Sequence, residues 1–539
     1  MNTLLQTALI AAAPAVGVMV TIAIFTTSLN LIRRLFSNAS LPGNLPWAGE
    51  GRHNNRLGRA KGNLTGIFQL RELLDEGYAK YSKNDQTYVL PYFINGPQVV
   101  LPPSQIPWLL EQPDTVLSQE HVNRQFLESD YSFFHANMVD GPVHPEIIQH
   151  QLTKKLNGFA DDLVEEVRAC LDEYWGTDIE EWREIRVYDT MLLTMTRLVT
   201  RVLMGRPLCR DETFVSICAN FIRKVAIAAA AISLFPRFLK PIVGPIFTVF
   251  DYILYRRCRR YLMPIIHERL HQLRKKDTEK LPLEDPVTHN DYVQWAVDHA
   301  LAKPVPNPVE FEPRVIAARF SVLAFAAIQS SVITLTNALF DLAASGWCAA
   351  SLATMRREVS ACVAGGKEKW SKPALARMTH VDSALRESLR VNGFIERGIM
   401  KMVVAPGGVT LPDGSHIPCG TKVGVSGYSI HHDEGNYPHA MRYDAFRFVR
   451  GAEGDGADGK KRPLGLVNTS ETFLSFSHGS HACPGRFFAT NQLKIALGHI
   501  ALLYEIEPIP KRPVNKWLFG HIAPPLIETL RVRRRRVQV

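Results

Sequence analysis

The stretch FLSFSHGSHACPGRFF, Phe473–Phe488, sets a single cysteine, Cys483, among two histidines, two glycines and a proline. A thiol in such a setting is a metal ligand, a nucleophile or an inert buried side chain. A zinc site would need a second cysteine at short spacing. The eight cysteines, at 170, 209, 218, 258, 348, 362, 419 and 483, include no C-x-x-C pair. Three further features carry chemistry. ALRESLR puts Glu387 and Arg390 three residues apart, on one face of a helix. Alone, such a pair reads as an exposed ion pair worth less than ~1 kcal/mol. In YPHAMRYDAFRFVR, Arg447 stands between two phenylalanines, which calls for a buried partner. Upstream of both, ARFSVLAFAAIQSSVITLTNALFDLAAS repeats apolar residues at helical spacing around a small-residue and hydroxyl patch, Ala326-Ala327-Ile328-Gln329-Ser330-Ser331.

The order of these features is more specific than any one of them: a long helix with a small-residue patch, then E-x-x-R, then an aromatic-arginine segment, then F-x-x-G-x-x-x-C-x-G at Phe476, Gly479, Cys483 and Gly485. In this the chain resembles the cytochrome P-450 superfamily of haem-thiolate monooxygenases. HHDEGNYPHAMRYDAFRF and FAAIQSS look most like its fungal, membrane-bound branch that tailors natural products. The resemblance implies a mostly α fold with a small β component, a single large haem domain behind an N-terminal transmembrane helix. It implies haem b with Cys483 as the axial thiolate, a ligand that donates electron density to the iron. A tight loop of backbone N–H groups suits a sulfur that must stay unprotonated. Phe476 would shield the sulfur, and Gly479 and Gly485 would let the backbone turn and approach the porphyrin.

His481 occupies a position where many members have an arginine on a haem propionate. Arg397 in IERGI matches the arginine on the other propionate, and either Lys154 or Lys155 of QLTKKL is a third basic contact. Glu387, Arg390 and Arg447 match a buried network that locks the cysteine region. Two positions depart from the family pattern: Gln329 stands for an acid and Ser330 for a threonine. The serine keeps a hydroxyl that relays a proton; glutamine orients water but has no titratable proton. A helix-capable glutamine that simply faces water is the plain alternative. The resemblance also implies electrons from NADPH through an FAD/FMN reductase and a lipophilic substrate, such as a terpenoid or alkaloid of secondary metabolism. Desaturation, epoxidation or oxidative rearrangement are alternative outcomes on the same cofactor; a haem sensor or electron carrier is an alternative of another class.

The elements that hold these residues are legible at coarse grain. The 539 residues are 46% hydrophobic and 21% charged, a globular composition. No internal repeat or long linker divides them. We read residues 1–34 as a transmembrane anchor, 35–50 as a Pro/Gly hinge and 51–539 as one domain. Met1–Ile32 carries no charged side chain and is long enough to span a bilayer; Arg33 and Arg34 follow, which puts the body on the cytosolic side, at the endoplasmic reticulum. AAAPA hints at a cleaved signal peptide, but a basic leading region is missing and the apolar run continues past it. Sparse cysteines fit reduced thiols in the cytosol.

The formal charge of +10 suits an acidic reductase or an anionic membrane. No zinc-finger or RNA-binding signature accompanies it, so nucleic acid is not expected as a partner, and RVRRRR (531–536) reads as a solvated tail or an edge strand. QTYVLPYFINGPQVVLP predicts a hairpin turning at Asn95-Gly96, and IMKMVVAPGGVTLPDGSHIPCGTKVGVS predicts short strands with Pro-Gly-Gly and Asp-Gly turns. The apolar, proline-broken stretch from Phe221 to Ile253 fits either core or an exposed surface near a membrane. Residues 281–313 read as a connector and 451–462 as a polar loop.

Overall fold

The computed structural model describes residues 21, 24–36, 41–49, 56–139, 142–279, 289–363, 370–453, 464–518 and 520–536. Most of the expected anchor and most of the expected polar loop at 451–462 lie outside the described residues. Helices dominate, with small sheets. The chain forms two compact units, one from residues 1–132, 225–250 and 400–425, the other from 133–224, 251–399 and 426–539.

The first unit is built on a five-stranded sheet. Tyr88–Leu90 pairs antiparallel with Gln98–Leu101, which pairs in parallel with Lys422–Val425; Gly398–Val403 and Leu117–Ser118 complete the order. The expected hairpin turns at Gly96, whose φ of +80° only glycine adopts freely. The Pro-Gly-Gly and Asp-Gly turns likewise use Gly408 and Gly414 at positive φ. Part of the Pro/Gly segment packs onto this sheet: Val89 N–H donates to Pro46 O at 2.8 Å and Ala48 N–H to Val89 O at 3.0 Å. Residues 24–35 are helical. Arg34 does not face solvent as a simple flanking charge. It donates to Ser233 O at 2.9 Å and Phe235 O at 3.4 Å, while Asn30 reaches Leu234 O at 3.5 Å. Ile227, Phe238, Ile242, Ile246 and Phe247 leave apolar surface exposed in the same unit.

The second unit is helical. Its main members are α1 (Ala160–Trp175), α2 (Val187–Met204), α3 (Pro313–Ala343), α4 (Cys348–Val363), α5 (Thr379–Asn392) and α6 (Arg486–Leu503). Their apolar faces share one core, including Leu198, Leu335, Leu385 and Leu497. α3 is apolar on all sides, as a helix buried among others must be, and it starts with proline, whose missing N–H costs nothing there. Glu212–Ser233 and α3 are each long and apolar enough to cross a membrane, but 56% and 72% of their apolar windows are buried inside the protein, so both serve the core.

Two expectations are corrected. The connector at 281–313 contains a helix, Tyr292–Leu301, which Asp291 caps by accepting from Gln294 N–H at 2.9 Å. RVRRRR is neither a tail nor an edge: Thr529–Arg534 is the middle strand of a sheet between Arg183–Arg186 and Tyr504–Ile506. Its alternation buries Leu530 and Val532, while Arg531, Arg533 and Arg534 pair with Glu507, Glu505 and Asp172. The basic run is thus consumed by acidic neighbours, which the one-dimensional pattern hides.

Candidate functional site

The cysteine loop is closed by its own backbone. Cys483 N–H donates to Phe476 O at 2.8 Å, Ser477 N–H to Leu474 O at 2.8 Å and Ala482 N–H to Gly479 O at 3.1 Å. Gly479 has φ +73°, so a side chain there would be strained. Gly485 is different from expectation: its φ of −85° suits any residue. A Cβ there would sit 4.0 Å from the Cys483 sulfur, an ordinary contact distance. Burial pushes the Cys483 thiol up, and the backbone N–H groups of Gly485 and Arg486, with the Arg486 guanidinium, act against it. Phe476 is half-buried and packs against the core. His481 ends the 3₁₀ turn Gly479–His481, half-exposed.

Behind the loop, Glu387 is the centre of the expected network. Its Oε1 accepts from Arg390 Nη2 at 2.8 Å, Arg447 Nε at 2.9 Å and Asp444 N–H at 3.2 Å; its Oε2 accepts from Arg390 Nε at 2.8 Å. Arg390 Nη1 continues to His431 O at 2.5 Å and Ala440 O at 2.7 Å, and Arg447 Nη1 to Pro438 O at 2.5 Å. Both guanidinium groups therefore gather the carbonyls of the 431–442 segment around one buried carboxylate. Three members were not foreseen. Tyr437 lies under Arg390, 4.8 Å from ring centroid to guanidinium, and its hydroxyl donates to Thr472 O at 2.9 Å. Arg386 sits 3.7 Å over the Phe473 ring and donates to Gly465 O and Asn468 O; burial lowers it to about 10. His431 accepts from Leu474 N–H at 2.8 Å. The tract HHDEGNYP contains two of the three, and the sequence offers no sign of which atoms they reach.

α3 is buried from Val315 to Ala324 and again from Ser331 to Ala343. Between these runs Ala326 is exposed and Phe325, Ala327, Gln329 and Ser330 are half-exposed. An exposed alanine midway along a core helix marks a face that protein atoms do not cover. Three hydroxyls bond back to the helix here: Ser330 Oγ to Ala326 O at 2.9 Å, Ser331 Oγ to Ala327 O at 2.8 Å and Thr334 Oγ1 to Ser330 O at 2.8 Å. Ser331 is buried, and Gln492 of α6 donates to its Oγ at 2.5 Å and to Ala327 O at 3.4 Å. Gln492, nine residues after Cys483, thereby ties the helix that leaves the cysteine loop to the small-residue patch. Gln329 does not simply face water: its Oε1 is shielded from solvent without a hydrogen-bond partner, and its side chain lies near Tyr188 of α2, whose hydroxyl it draws down against the effect of burial. Arg223 lies over the Tyr188 ring at 5.9 Å and pairs with Asp189, so a polar chain runs from α3 to the surface.

Arg397 is half-buried and donates to the buried Glu396 Oε1 at 2.6 Å. The structure separates the two lysines: Lys155 Nζ lies 5.7 Å over the Trp295 ring, whereas Lys154 is exposed.

These residues fit a haem. The thiol is half-exposed with two backbone N–H groups to favour its anion, and the exposed Ala326 face of α3 is joined to the same loop through Gln492. Among the described residues no group of three or more His, Cys, Asp or Glu is placed to hold a metal ion.

The family model described as cytochrome P-450 matches residues 143–526. The chain is 33% identical over 492 residues to cytochrome P-450 monooxygenase lnaC of Aspergillus flavus, covering 88% of this chain and 91% of the relative. It is 31% identical to monooxygenase polB of Polytolypa hystricis, over 89% and 91% of the two chains. It is also 31% identical to monooxygenase htyF of Aspergillus rugulosus, over 87% and 69%.

Proposed function

The chain belongs to the cytochrome P-450 family of oxidoreductases, and from that premise we propose that it inserts one oxygen atom of O2 into a lipophilic small molecule of fungal secondary metabolism, a terpenoid or an alkaloid. Cys483 would hold the haem iron through its thiolate, with Phe476, Gly479, His481, Gly485 and Arg397 around the haem. The haem, when bound, supplies the oxygen chemistry, which thiolate ligation favours. The chain's own residues supply the rest. The N–H groups of Gly485 and Arg486 act against the burial that raises the Cys483 thiol, and so favour its anion. Glu387, Arg390 and Arg447 keep the loop's supporting segment rigid. Ser330 offers an oxygen with free lone pairs on the half-exposed face of α3, suited to passing a proton; Gln329, near Tyr188, positions and does not titrate.

Electrons come from NADPH through an FAD/FMN reductase. We place the protein in a membrane through residues 1–34, with 35–50 as the hinge and 51–539 as the catalytic domain. Exposed Ile24, Phe25, Leu29 and Ile32, in the helical residues that bond to Ser233 and Leu234, support a bilayer-facing apolar surface together with Ile242 and Ile246. The observation that carries the reading is the Gln492 bridge between the cysteine-loop helix and the uncovered face of α3. Reduced protein with carbon monoxide is expected to give the red-shifted Soret band of thiolate ligation, and Cys483→Ala to lose it. Survival of the band in that variant overturns the assignment.

A further inference from the structure

His431 ends the short helix Gly427–His431 and is buried, with its ring stacked on Phe473 at 5.6 Å between centroids and 26° between planes. Its two polar ends point in opposite chemical directions. The backbone carbonyl accepts from Arg390 Nη1 at 2.5 Å, so it belongs to the Glu387 network. The ring Nε2 accepts from Leu474 N–H at 2.8 Å, so it belongs to the cysteine loop. A backbone N–H can only donate, which fixes the ring as the neutral tautomer with its proton on Nδ1. Burial holds the imidazole well below its ordinary range, and His432, Arg390 and Arg386 add like charge against protonation. Both effects favour the neutral ring that the Leu474 N–H requires.

Leu474 is where the loop's hydrogen bonds begin. Its carbonyl accepts from Ser477 N–H, and Phe476 O then accepts from Cys483 N–H. We infer that His431 is a positioning residue that fixes the Leu474 amide, and through the Leu474–Phe476 backbone the orientation of Cys483, by relaying the rigidity of the Glu387–Arg390–Arg447 network into the loop. This rests on the reading of Cys483 as the axial ligand.

The test compares full-length holoenzyme with two variants. His431→Phe keeps a flat ring on Phe473 and removes the acceptor; His431→Gln returns an acceptor at about the same reach. Hydrogen exchange of the Leu474 amide is expected to quicken roughly tenfold in His431→Phe, as for the loss of one net hydrogen bond, and to stay near wild type in His431→Gln. The thiolate Soret band of the reduced carbon monoxide complex is expected to decay faster in His431→Phe only. Unchanged Leu474 exchange in His431→Phe, or equal quickening in both variants, overturns the inference. If His431→Phe does not fold, ¹⁵N spectra of wild-type histidine decide: a proton on Nε2 of His431 overturns it, and a proton on Nδ1 upholds it. A wild-type protein without the band overturns the ligand reading itself, and this inference with it. A wild-type band with unaltered exchange overturns the inference alone.

Discussion

Gln492 Nε2 and Ser331 Oγ meet at 2.5 Å, and the same serine gives its own proton to Ala327 O at 2.8 Å. Its single donor and one acceptor site are both in use, in a buried position. Ser330, one residue earlier and half-exposed, gives its proton to Ala326 O and keeps its lone pairs. The two adjacent hydroxyls therefore have different work. Ser330→Ala is expected to keep haem loading and substrate binding and to lower product formed per NADPH oxidised, with hydrogen peroxide rising; a positioned relay is worth roughly 10²–10⁴-fold in rate. Ser331→Ala is expected to leave that ratio near wild type and to cost about 1–3 kcal/mol of stability, because the Gln492 amide loses its acceptor. The reverse pattern in the two assays would reassign the relay to Ser331.

Glu387, itself closed to water, answers the buried Arg390 and the half-buried Arg447. Removing it leaves both without their counter-charge, a loss of about 3–5 kcal/mol for a broken buried pair. Glu387→Ala is expected to yield little haem-loaded protein, read as the ratio of Soret to protein absorbance. Glu387→Gln keeps the shape and one acceptor and is expected to fall between. A fully loaded but slow Glu387→Ala enzyme would assign this carboxylate to chemistry instead of architecture.

Gln329 lies near the Tyr188 hydroxyl and opposes the upward push of burial on it. If the glutamine acts through that contact, Gln329→Ala and Tyr188→Phe have the same small effect on product per NADPH, and the double variant is no worse than either single one. Interaction energies of residues that share a contact run to about 0.5–3 kcal/mol. Additive effects of the two substitutions would show that Gln329 works independently of Tyr188.

The acid limit of stability follows from buried imidazoles. His499 stacks on Trp370 at 4.1 Å and its Nδ1–H donates to Ile495 O; burial pushes it down to about 4. His144 is pushed to about 4 by burial and the charge of Arg319. Unfolded histidines titrate near 6.5, so below that pH the unfolded state binds protons that the folded state refuses. Each group's contribution is complete above pH 6.5 and is lost as pH falls toward 4, about 3 kcal/mol apiece over that span. Denaturant midpoints measured from pH 7 to 4.5 are expected to fall steeply in wild type and less steeply in His499→Phe. Parallel slopes would remove His499 from the cause.

The parts of the site that the sequence discloses are those where residue type alone dictates the role. A glycine at φ +73° in Gly479, a lone cysteine in a glycine-rich loop, and a carboxylate spaced for two arginines are of this kind. The hairpin at Gly96 was legible for the same reason. What stayed hidden depends on partners far along the chain. Gln492 meets Ser331 across 161 residues and His431 meets Leu474 across 43, and neither spacing has a period to read. The Tyr292–Leu301 helix was masked by the prolines on either side of it, although Asp291 stood as its cap. Gly485 reads in the sequence as a turn glycine beside Gly479, but its φ of −85° is one that any residue adopts.

Thr529–Arg534 lies between two strands that it alone connects, and Thr529 bonds to Glu184 across 345 residues. During synthesis, Arg183–Arg186 must therefore wait, unpaired, until residue 534 has left the ribosome, and Tyr504–Ile506 waits with it. The chain between them holds the cysteine loop. Completion of this sheet thus depends on pairings between residues far apart along the chain, the kind of contact that forms late in folding and leaves strand edges open until then.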